Sequence, residues 1–276
     1  GGGTRSRLAR ISANDASLHW TQTMDRPVNS LTLGAGGILA GGNFVLARND
    51  VRSALVEVDA TTGDATAIHS EILTAGGALT HLRMPDGRMW VGGNFLRANG
   101  LPKAGLVLVN ADGSVDPGGD LGVYGDLGVL NLVPDASGRV YVSGNFTRVD
   151  GLPRHALFRL TPSGSIDAAF PLEAQLGRGG IFKVLLDGNA MFVAGGFQSI
   201  GPVGQVPLAQ ANAAKISLLT NSVDASWNPV ITTTATSTFT PFPIQGAALD
   251  AANDRIYMGG GISSVDGSPV SLVAAL

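Results

Sequence analysis

The sequence predicts an all-β protein, a β-propeller of four-stranded antiparallel blades, with five blades visible. Two observations predict this fold. A Gly-Gly-Asn-Phe motif returns at a fixed interval along the chain, and glycine makes up 39 of the 276 residues. A repeat of roughly 40–50 residues that contains several short strands is typical of propeller blades. Glycine suits this architecture because it supplies the tight turns between short strands.

The repeat is defined by the last residue of the motif. Complete copies end at Phe44 and Phe95, a Ser-Gly-Asn-Phe copy ends at Phe146, and degraded copies end at Phe197 and Ile262. The first three intervals are each 51 residues and the last is 65 residues. A large residue precedes the motif at the same offset in every copy: Leu39, Trp90, Tyr141, Phe192 and Tyr257. Recurrence of several positions in one register indicates repeated structural units.

Each copy predicts four short strands, labelled A to D from the propeller axis outward. In the third copy these are Gly128–Val133, Arg139–Phe146, Ala156–Leu160 and a last strand near Ser165–Phe170. Runs of strand length bounded by Gly, Pro, Asn and Asp are typical of antiparallel meanders. No segment has a sustained helical period, so the sequence predicts strands throughout.

We interpret residues 1–276 as a single propeller domain. The repeat units cover about 5–51, 52–102, 103–153, 154–204 and 205–268, with a partial unit at 269–276. The first residues, Leu8–Ile11 and Ser17–Trp20, read as strands C and D. They would complete the last copy and close a five-bladed ring, which removes exposed strand edges. An excerpt of a longer propeller is the alternative.

The recurring residues have structural interpretations. The double glycine lets neighbouring sheets approach where a Cβ would clash. The asparagine bonds to backbone near a bend, and the phenylalanine fills the wedge between blades. Asp116, Asp167 and Asp224 recur within Gly-Ser-Val-Asp and related segments, so we expect them to cap the same turn in successive blades.

The repeat resembles a known family. The segment Met84–Phe95 combines Pro-Asp-Gly-Arg with Val-Gly-Gly-Asn-Phe, and the full pattern is clearest over Arg83–Phe170. This pattern is similar to the delta-60 repeat family of bacterial β-propellers, and Gly-Gly-Asn-Phe runs also occur in fungal cortical polarity-marker proteins. The resemblance implies an extracellular or cell-surface location and a binding role without an assigned reaction.

Composition excludes several partners. The net charge is −3 with a pI near 5.8, which argues against binding to nucleic acid. No apolar run approaches the roughly 20 residues that span a bilayer, so we expect no membrane insertion. Cysteine is absent, which removes disulfides and zinc–thiolate sites.

The sequence contains no recognisable catalytic constellation. The four histidines show no metal-ligand spacing, and no serine lies in a Gly-x-Ser-x-Gly elbow. Asn110–Asp116 looks like a calcium loop but lacks the bidentate glutamate and the full ligand set. We therefore predict a non-enzyme with no cofactor, no metal site and no catalytic residue.

Residues that break the repeat are the candidate binding residues, because function concentrates in irregular loops on rigid scaffolds. The extra residues of the fourth and fifth copies form a B–C loop near Gly201–Ala211 and a D–A loop near Ile231–Phe242. Both loops would emerge on one face of the propeller. The candidates are Thr232, Thr234, Phe239 and Phe242 in the second insertion, and a basic column on the same face formed by Arg52, Lys103 and Arg154. A tolerated, O-glycosylated loop and a solvated basic rim are the structural alternatives.

The leading hypothesis is a secreted or cell-surface module that binds protein or glycan, or acts as a scaffold, through this insertion face. One alternative is a carbohydrate-active enzyme that uses the central funnel, in which replacement of Asp126 or Lys183 would abolish turnover. Another is a structural spacer that binds nothing.

Overall fold

The structure is a computed structural model that describes residues 6–34, 36–47, 50–73, 77–233, 243–270 and 273–275. Within these ranges the regular secondary structure consists of strands, and no helix that could cross a membrane occurs among them. The chain forms two compact units, Gly1–Val129 and Leu130–Leu276. The all-β prediction is confirmed.

The first unit carries β1 (Ser6–Ile11), β2 (Leu18–Thr23), β3 (Val28–Leu33), β4 (Ile38–Gly42), β5 (Leu46–Ala47), β6 (Asp50–Val51), β7 (Ala54–Val58), β8 (Ala65–Leu73), β9 (Ala78–Arg83), β10 (Met89–Gly93), β11 (Arg97–Ala98), β12 (Leu101–Pro102), β13 (Leu106–Val109) and β14 (Val115–Asp120).

The remaining strands are β15 (Gly128–Pro134), which begins at the unit boundary, β16 (Val140–Asn145), β17 (Arg148–Val149), β18 (Leu152–Pro153), β19 (Leu157–Leu160), β20 (Leu172–Asp187), β21 (Ala190–Pro202), β22 (Ala213–Ser217), β23 (Ser222–Val223), β24 (Ile231–Thr233), β25 (Ile244–Asp250), β26 (Arg255–Gly260), β27 (Ile262–Val265), β28 (Ser268–Pro269) and β29 (Val273–Ala275).

The sheets follow the predicted A-B-C-D order. In the second repeat β9, β10, β13 and β14 are antiparallel neighbours in that order, and β20 to β23 repeat the arrangement in the fourth repeat. The first repeat forms the same sheet from β3, β4, β7 and β8. The four-stranded meander is therefore confirmed for these three repeats.

The connection between strands B and C contains a feature that the sequence reading missed. A two-residue hairpin recurs there as β5–β6, β11–β12, β17–β18 and β27–β28. In several repeats this hairpin pairs with the strand that leaves the preceding blade. Examples are Ile72 with Ala98, Leu172 with Pro202 and Ile231 with Val265. In these cases backbone pairing joins the B–C connection to the strand that precedes its blade.

The third repeat departs from the prediction at its last strand. Only Ile166 forms a bridge, with Leu160, and no continuous strand follows. The Asp167 carboxylate accepts a hydrogen bond from the Ala169 amide at 3.0 Å, which turns the chain immediately. The predicted strand near Ser165–Phe170 is therefore wrong, because this segment pairs with strand C through a single bridge only.

The motif residues pack as predicted. Phe44, Phe95, Phe146 and Phe197 are all buried. A Cβ added to Gly92 would lie 2.5 Å from the Val129 side chain on the next inner strand. A side chain at this glycine would therefore clash with Val129 within the first unit.

Candidate functional site

The first insertion forms a loop that follows β21. Its base is fixed by reciprocal backbone hydrogen bonds between Ile200 and Leu208, at 3.1 and 2.9 Å. The loop ends at Gln210, whose side chain is buried and whose amide donates to the carbonyl of Trp227. These contacts hold both ends of the loop on the sheet.

The tip of this loop presents apolar side chains to solvent. Val206 is 93% exposed, Leu208 is 44% exposed and Val203 is 39% exposed. Prolines at positions 202 and 207 flank this segment and limit its backbone freedom. Val206 is therefore almost fully open to solvent, whereas Val203 and Leu208 are partly covered.

The second insertion begins as a strand, although a loop was expected from Ile231 onward. Ile231 is buried, and Thr232 is exposed and pairs with Ser264 of the fifth-repeat hairpin. The carbonyl of Thr232 also accepts a hydrogen bond from the Ser263 hydroxyl at 3.2 Å. The sequence did not predict this strand, because the residues that pair with it lie some 30 positions later in the chain. The candidates Thr234, Phe239 and Phe242 lie outside the described residues.

Two members of the basic column point inward. Lys103 is only 5% exposed, and its ammonium donates to the carbonyl of Pro117 at 3.0 Å. The Arg154 guanidinium donates to the carbonyls of Leu157, Phe170 and Leu172, as a half-buried group. Burial lowers the pKa of Arg154 from its ordinary value, although the nearby Glu173 carboxylate acts in the opposite direction.

Arg52 completes the column. It is half-buried, and its Nη1 lies 3.4 Å from Nε2 of His69. The interpretation as a solvated rim is wrong for Lys103, which is buried, whereas Arg52 and Arg154 are half-buried. Lys103 and Arg154 lie where the B–C connection ends and donate to neighbouring backbone carbonyls, which sequence spacing alone does not reveal.

The recurring aspartates perform the predicted turn-capping role. Asp116 accepts a hydrogen bond from the Gly118 amide at 2.8 Å, and Asp224 accepts one from the Ser226 amide at 3.0 Å. Together with the equivalent bond of Asp167, these contacts place one Asx turn at the same position in successive repeats. Hydrogen bonds from the Ser226 hydroxyl and amide lower the pKa of Asp224.

The structure also reveals a cation–aromatic cluster in the third repeat. Arg159, which is 2% exposed, donates from Nε to the Asp167 carboxylate at 2.8 Å. Its guanidinium carbon lies 4.9 Å from the ring centre of Phe170 and 5.6 Å from that of Tyr141. Asn221, from the fourth repeat, approaches the same guanidinium at 3.4 Å. The cluster is thereby closed to solvent.

The fourth repeat contains a more open counterpart. The Lys215 ammonium lies 3.9 Å from the Asp224 carboxylate and 5.7 Å from the ring centre of Phe192. Phe192 meets Trp227 edge to face, with ring centres 5.4 Å apart. Both clusters have the same sequence signal, a cation on strand C shortly before the recurring aspartate. The spacing of the glycine motif alone did not reveal this signal.

Lys215 borders two cavities. One, of about 130 Å³, is lined by both aromatic rings, Asp254 and Arg255. The other, of about 520 Å³, is lined by Asp187, Asn189, Ala190, Ile216, Ser217, Ser222 and Asp224 in addition to Lys215. The cavities together surround the open cation–aromatic cluster with hydrogen-bonding groups.

The residues named for the alternative enzymatic function occupy different settings. Asp126 is exposed, and its backbone carbonyl accepts a hydrogen bond from Asn94 at 2.7 Å. Lys183 is half-buried on β20, where it pairs with Ala194. Across the part of the chain that the structure describes, no group of three or more His, Asp or Glu side chains is arranged to hold a metal ion.

Comparison with known proteins supports the fold. A family model described as a domain of unknown function (DUF5122) beta-propeller matches residues 85–118 and 136–170. These segments lie in the second and third repeats and include the Gly-Gly-Asn-Phe and Gly-Asn-Phe motifs. A search of curated proteins finds no match.

Among solved structures, the chain is similar to the extracellular domain of a hybrid two-component system protein from B. thetaiotaomicron. The sequences are 12% identical and the TM-score is 0.42. The likeness covers 96% of this chain but 36% of the other chain. The propeller match rests on the family model and on the four-stranded antiparallel sheets, and the number of blades stays a prediction. The fold is a β-propeller.

Proposed function

We propose that this chain is a non-catalytic, extracellular or cell-surface propeller module that binds a protein partner through the B–C loop of its fourth repeat. The resemblance to delta-60 repeat propellers supports the location. The observation that carries the binding role is the braced loop that exposes Val203 and Val206 at its tip and Leu208 at its base.

The chemistry of this tip favours a protein over a glycan. The exposed side chains of Val203, Val206 and Leu208 are aliphatic, and Gln205 is the one exposed side chain of residues 203–208 that can form hydrogen bonds, whereas a glycan surface consists largely of hydroxyl groups. Contiguous exposed aliphatic residues on a rigid support are typical of protein contact sites. The reciprocal bonds at Ile200 and Leu208 fix the loop before binding, which reduces the entropy lost on association.

Other B–C hairpins present aliphatic residues in the same way. The exposed ones are Val51, Leu96 and Leu101 in the first unit and Leu152 in the second. Leu101, Leu152 and Val203 occupy equivalent positions, 51 residues apart. Within the second unit, the exposed apolar position of the third repeat, Leu152, recurs at Val203 of the fourth repeat, which supports a contact role for these hairpin tips.

A photo-crosslinking experiment tests this proposal. Val206 is replaced by a photoreactive phenylalanine analogue, and the chain is irradiated with intact cells that display their own surface proteins. A discrete crosslinked protein is expected, and the same protein should bind the purified wild-type chain in calorimetry.

The matched control uses Leu219, which is 75% exposed and lies in the β22–β23 turn. A Val203→Ser, Val206→Ser, Leu208→Ser variant should lose binding to the captured protein, while Leu219→Ser keeps it. Both should melt at the wild-type temperature. Equal binding by the two variants, or no crosslinked protein, would reject the loop as the contact site. Turnover of a glycoside by the chain would favour the enzyme alternative.

A further inference from the structure

The third and fourth repeats contain the same cation–aromatic arrangement in two states. In the third repeat Arg159 is closed off by its carboxylate, its rings and Asn221. In the fourth repeat the Lys215 side chain is 36% exposed and its carboxylate partner lies at 3.9 Å, beyond hydrogen-bond range. One copy is therefore a packed structural element, while the other leaves its cation and rings accessible.

The accessible copy has a mixed lining. Phe192 and Trp227 supply an apolar wall, and Lys215 and Arg255 supply donors. Carboxylates from Asp254 in the smaller cavity, and from Asp187 and Asp224 in the larger one, supply acceptors. Donors, acceptors and an aromatic surface converge on a volume of about 130 Å³ that is bordered by a cleft of about 520 Å³.

This lining discriminates among classes of ligand. An anion would face three carboxylates, and a cation would face Lys215 and Arg255. A purely apolar ligand would remove the water that is hydrogen-bonded to the charged groups and would offer no hydrogen bonds in its place. A neutral polyol with an apolar C–H face matches both parts of the lining, because its hydroxyls both donate and accept while its C–H face packs on an aromatic ring.

We propose that these two cavities form a saccharide-binding site for a short, neutral oligosaccharide. One sugar residue occupies the smaller cavity against Trp227, with its hydroxyls bonded to Asp254 and Arg255. Further residues extend along the cleft past Lys215 toward Asn189 and Ser222. The site is separate in sequence from the Val206 loop and does not depend on the protein-binding role proposed for that loop.

An array of neutral di-, tri- and tetrasaccharides of glucose, galactose, mannose and N-acetylglucosamine provides the probe. The chain should bind at least one of them, and titration calorimetry on that oligosaccharide gives the dissociation constant. Arg255→Ala and Asp254→Asn each remove one hydrogen-bonding charge and should weaken binding by about ten-fold or more. Both residues are exposed, and asparagine tolerates the positive φ of 53° at position 254.

Trp227→Leu should abolish binding by removing the aromatic wall. Trp227 also packs on the core of the fourth and fifth repeats, so the melting temperature of Trp227→Leu must be compared with that of the wild type. If Trp227→Leu is destabilised, the variants Arg255→Ala and Asp254→Asn still decide the test. Arg148→Ala, an exposed arginine of the same unit, is the matched control and should bind normally.

Two results would overturn this site: no array oligosaccharide bound at millimolar concentration, or an oligosaccharide bound equally by wild type, Arg255→Ala and Asp254→Asn. The triple serine variant of the Val206 loop separates the two proposals. It should bind the oligosaccharide normally, while Arg255→Ala should bind the protein captured through Val206 normally.

Discussion

The side chains of Arg159 and Asp167 form an ion pair in the interior of the third repeat, with Nε 2.8 Å from Oδ2. The arginine side chain is 2% exposed and the aspartate 13% exposed. Two aromatic rings line the guanidinium, and Tyr141 accepts a long hydrogen bond from it at 3.3 Å. This pair joins strand C to the turn that ends the repeat.

Arg159→Ala should lower the free energy of unfolding by about 3–5 kcal/mol, because it leaves the Asp167 carboxylate without its partner in a buried setting. Lys215→Ala, at the equivalent position of the fourth repeat, should cost less than about 1 kcal/mol because that pair is partly solvated and longer. Urea unfolding of both variants measures the difference. Equal losses would contradict the assignment of one sealed and one open cluster.

Gly92→Ala should destabilise the first unit by about 1–3 kcal/mol through overpacking. The new Cβ would lie 2.5 Å from Val129 Cγ1 and 2.9 Å from Thr80 Cγ2. A Val129→Ala change should relieve part of this cost, which a double-mutant cycle detects as favourable coupling. Gly246→Ala is the control, since nothing lies within 4 Å of its added Cβ. Additive effects at positions 92 and 129 would refute the contact between sheets.

His81 predicts a specific dependence of stability on pH. Its side chain is 7% exposed, Nδ1 lies 2.9 Å from the Ser30 hydroxyl, and burial, reinforced by the Arg83 cation, lowers its pKa to about 4. The folded protein therefore keeps His81 neutral at a pH where the unfolded chain, with an ordinary pKa near 6.5, takes up a proton. The contribution of neutral His81 to the free energy of unfolding is complete above pH 6.5 and is lost as the pH falls toward 4.

The loss should reach about 3 kcal/mol over this window. Denaturant unfolding between pH 7 and pH 4 measures it, and His81→Leu, which copies Leu132 of the next repeat, should flatten the curve. Carboxylates whose pKa values are lowered, such as Asp86 and Asp112, affect stability at more acidic pH. An unchanged slope in His81→Leu would show that another group controls this window.

Lys103→Met tests the structural role of the basic column. The substitution keeps the aliphatic stem but removes the ammonium that donates to Pro117. The free energy of unfolding should therefore fall by about 1–3 kcal/mol. The exposed Arg97, bonded to the Gly100 carbonyl at 3.0 Å, gives the control. Arg97→Met should change stability by no more than about 0.5 kcal/mol. Thermal and urea unfolding distinguish the two, and a neutral Lys103→Met would restore the interpretation as a solvated rim.

Much of the fold follows from periodicity. The 51-residue spacing placed Phe44 and Phe95 in equivalent buried positions, and it placed Asp116 and Asp167 in the same turn. Such local features depend on strand alternation and turn chemistry, which neighbouring residues specify. The candidate site could be predicted less well from such local features. The binding role of Thr232 stays a prediction, and the strand that holds this residue was not predicted.

The sequence by itself determined the repeat, the antiparallel four-stranded sheets and the residues that pack or cap within one repeat. Tertiary structure decided which hairpin pairs with which preceding strand, that Lys103 turns inward, and that Arg159 is sealed while Lys215 is accessible. The reason is physical. Periodicity specifies contacts within a repeat, whereas the burial of a charge depends on groups such as Asn221 that a neighbouring repeat brings over it.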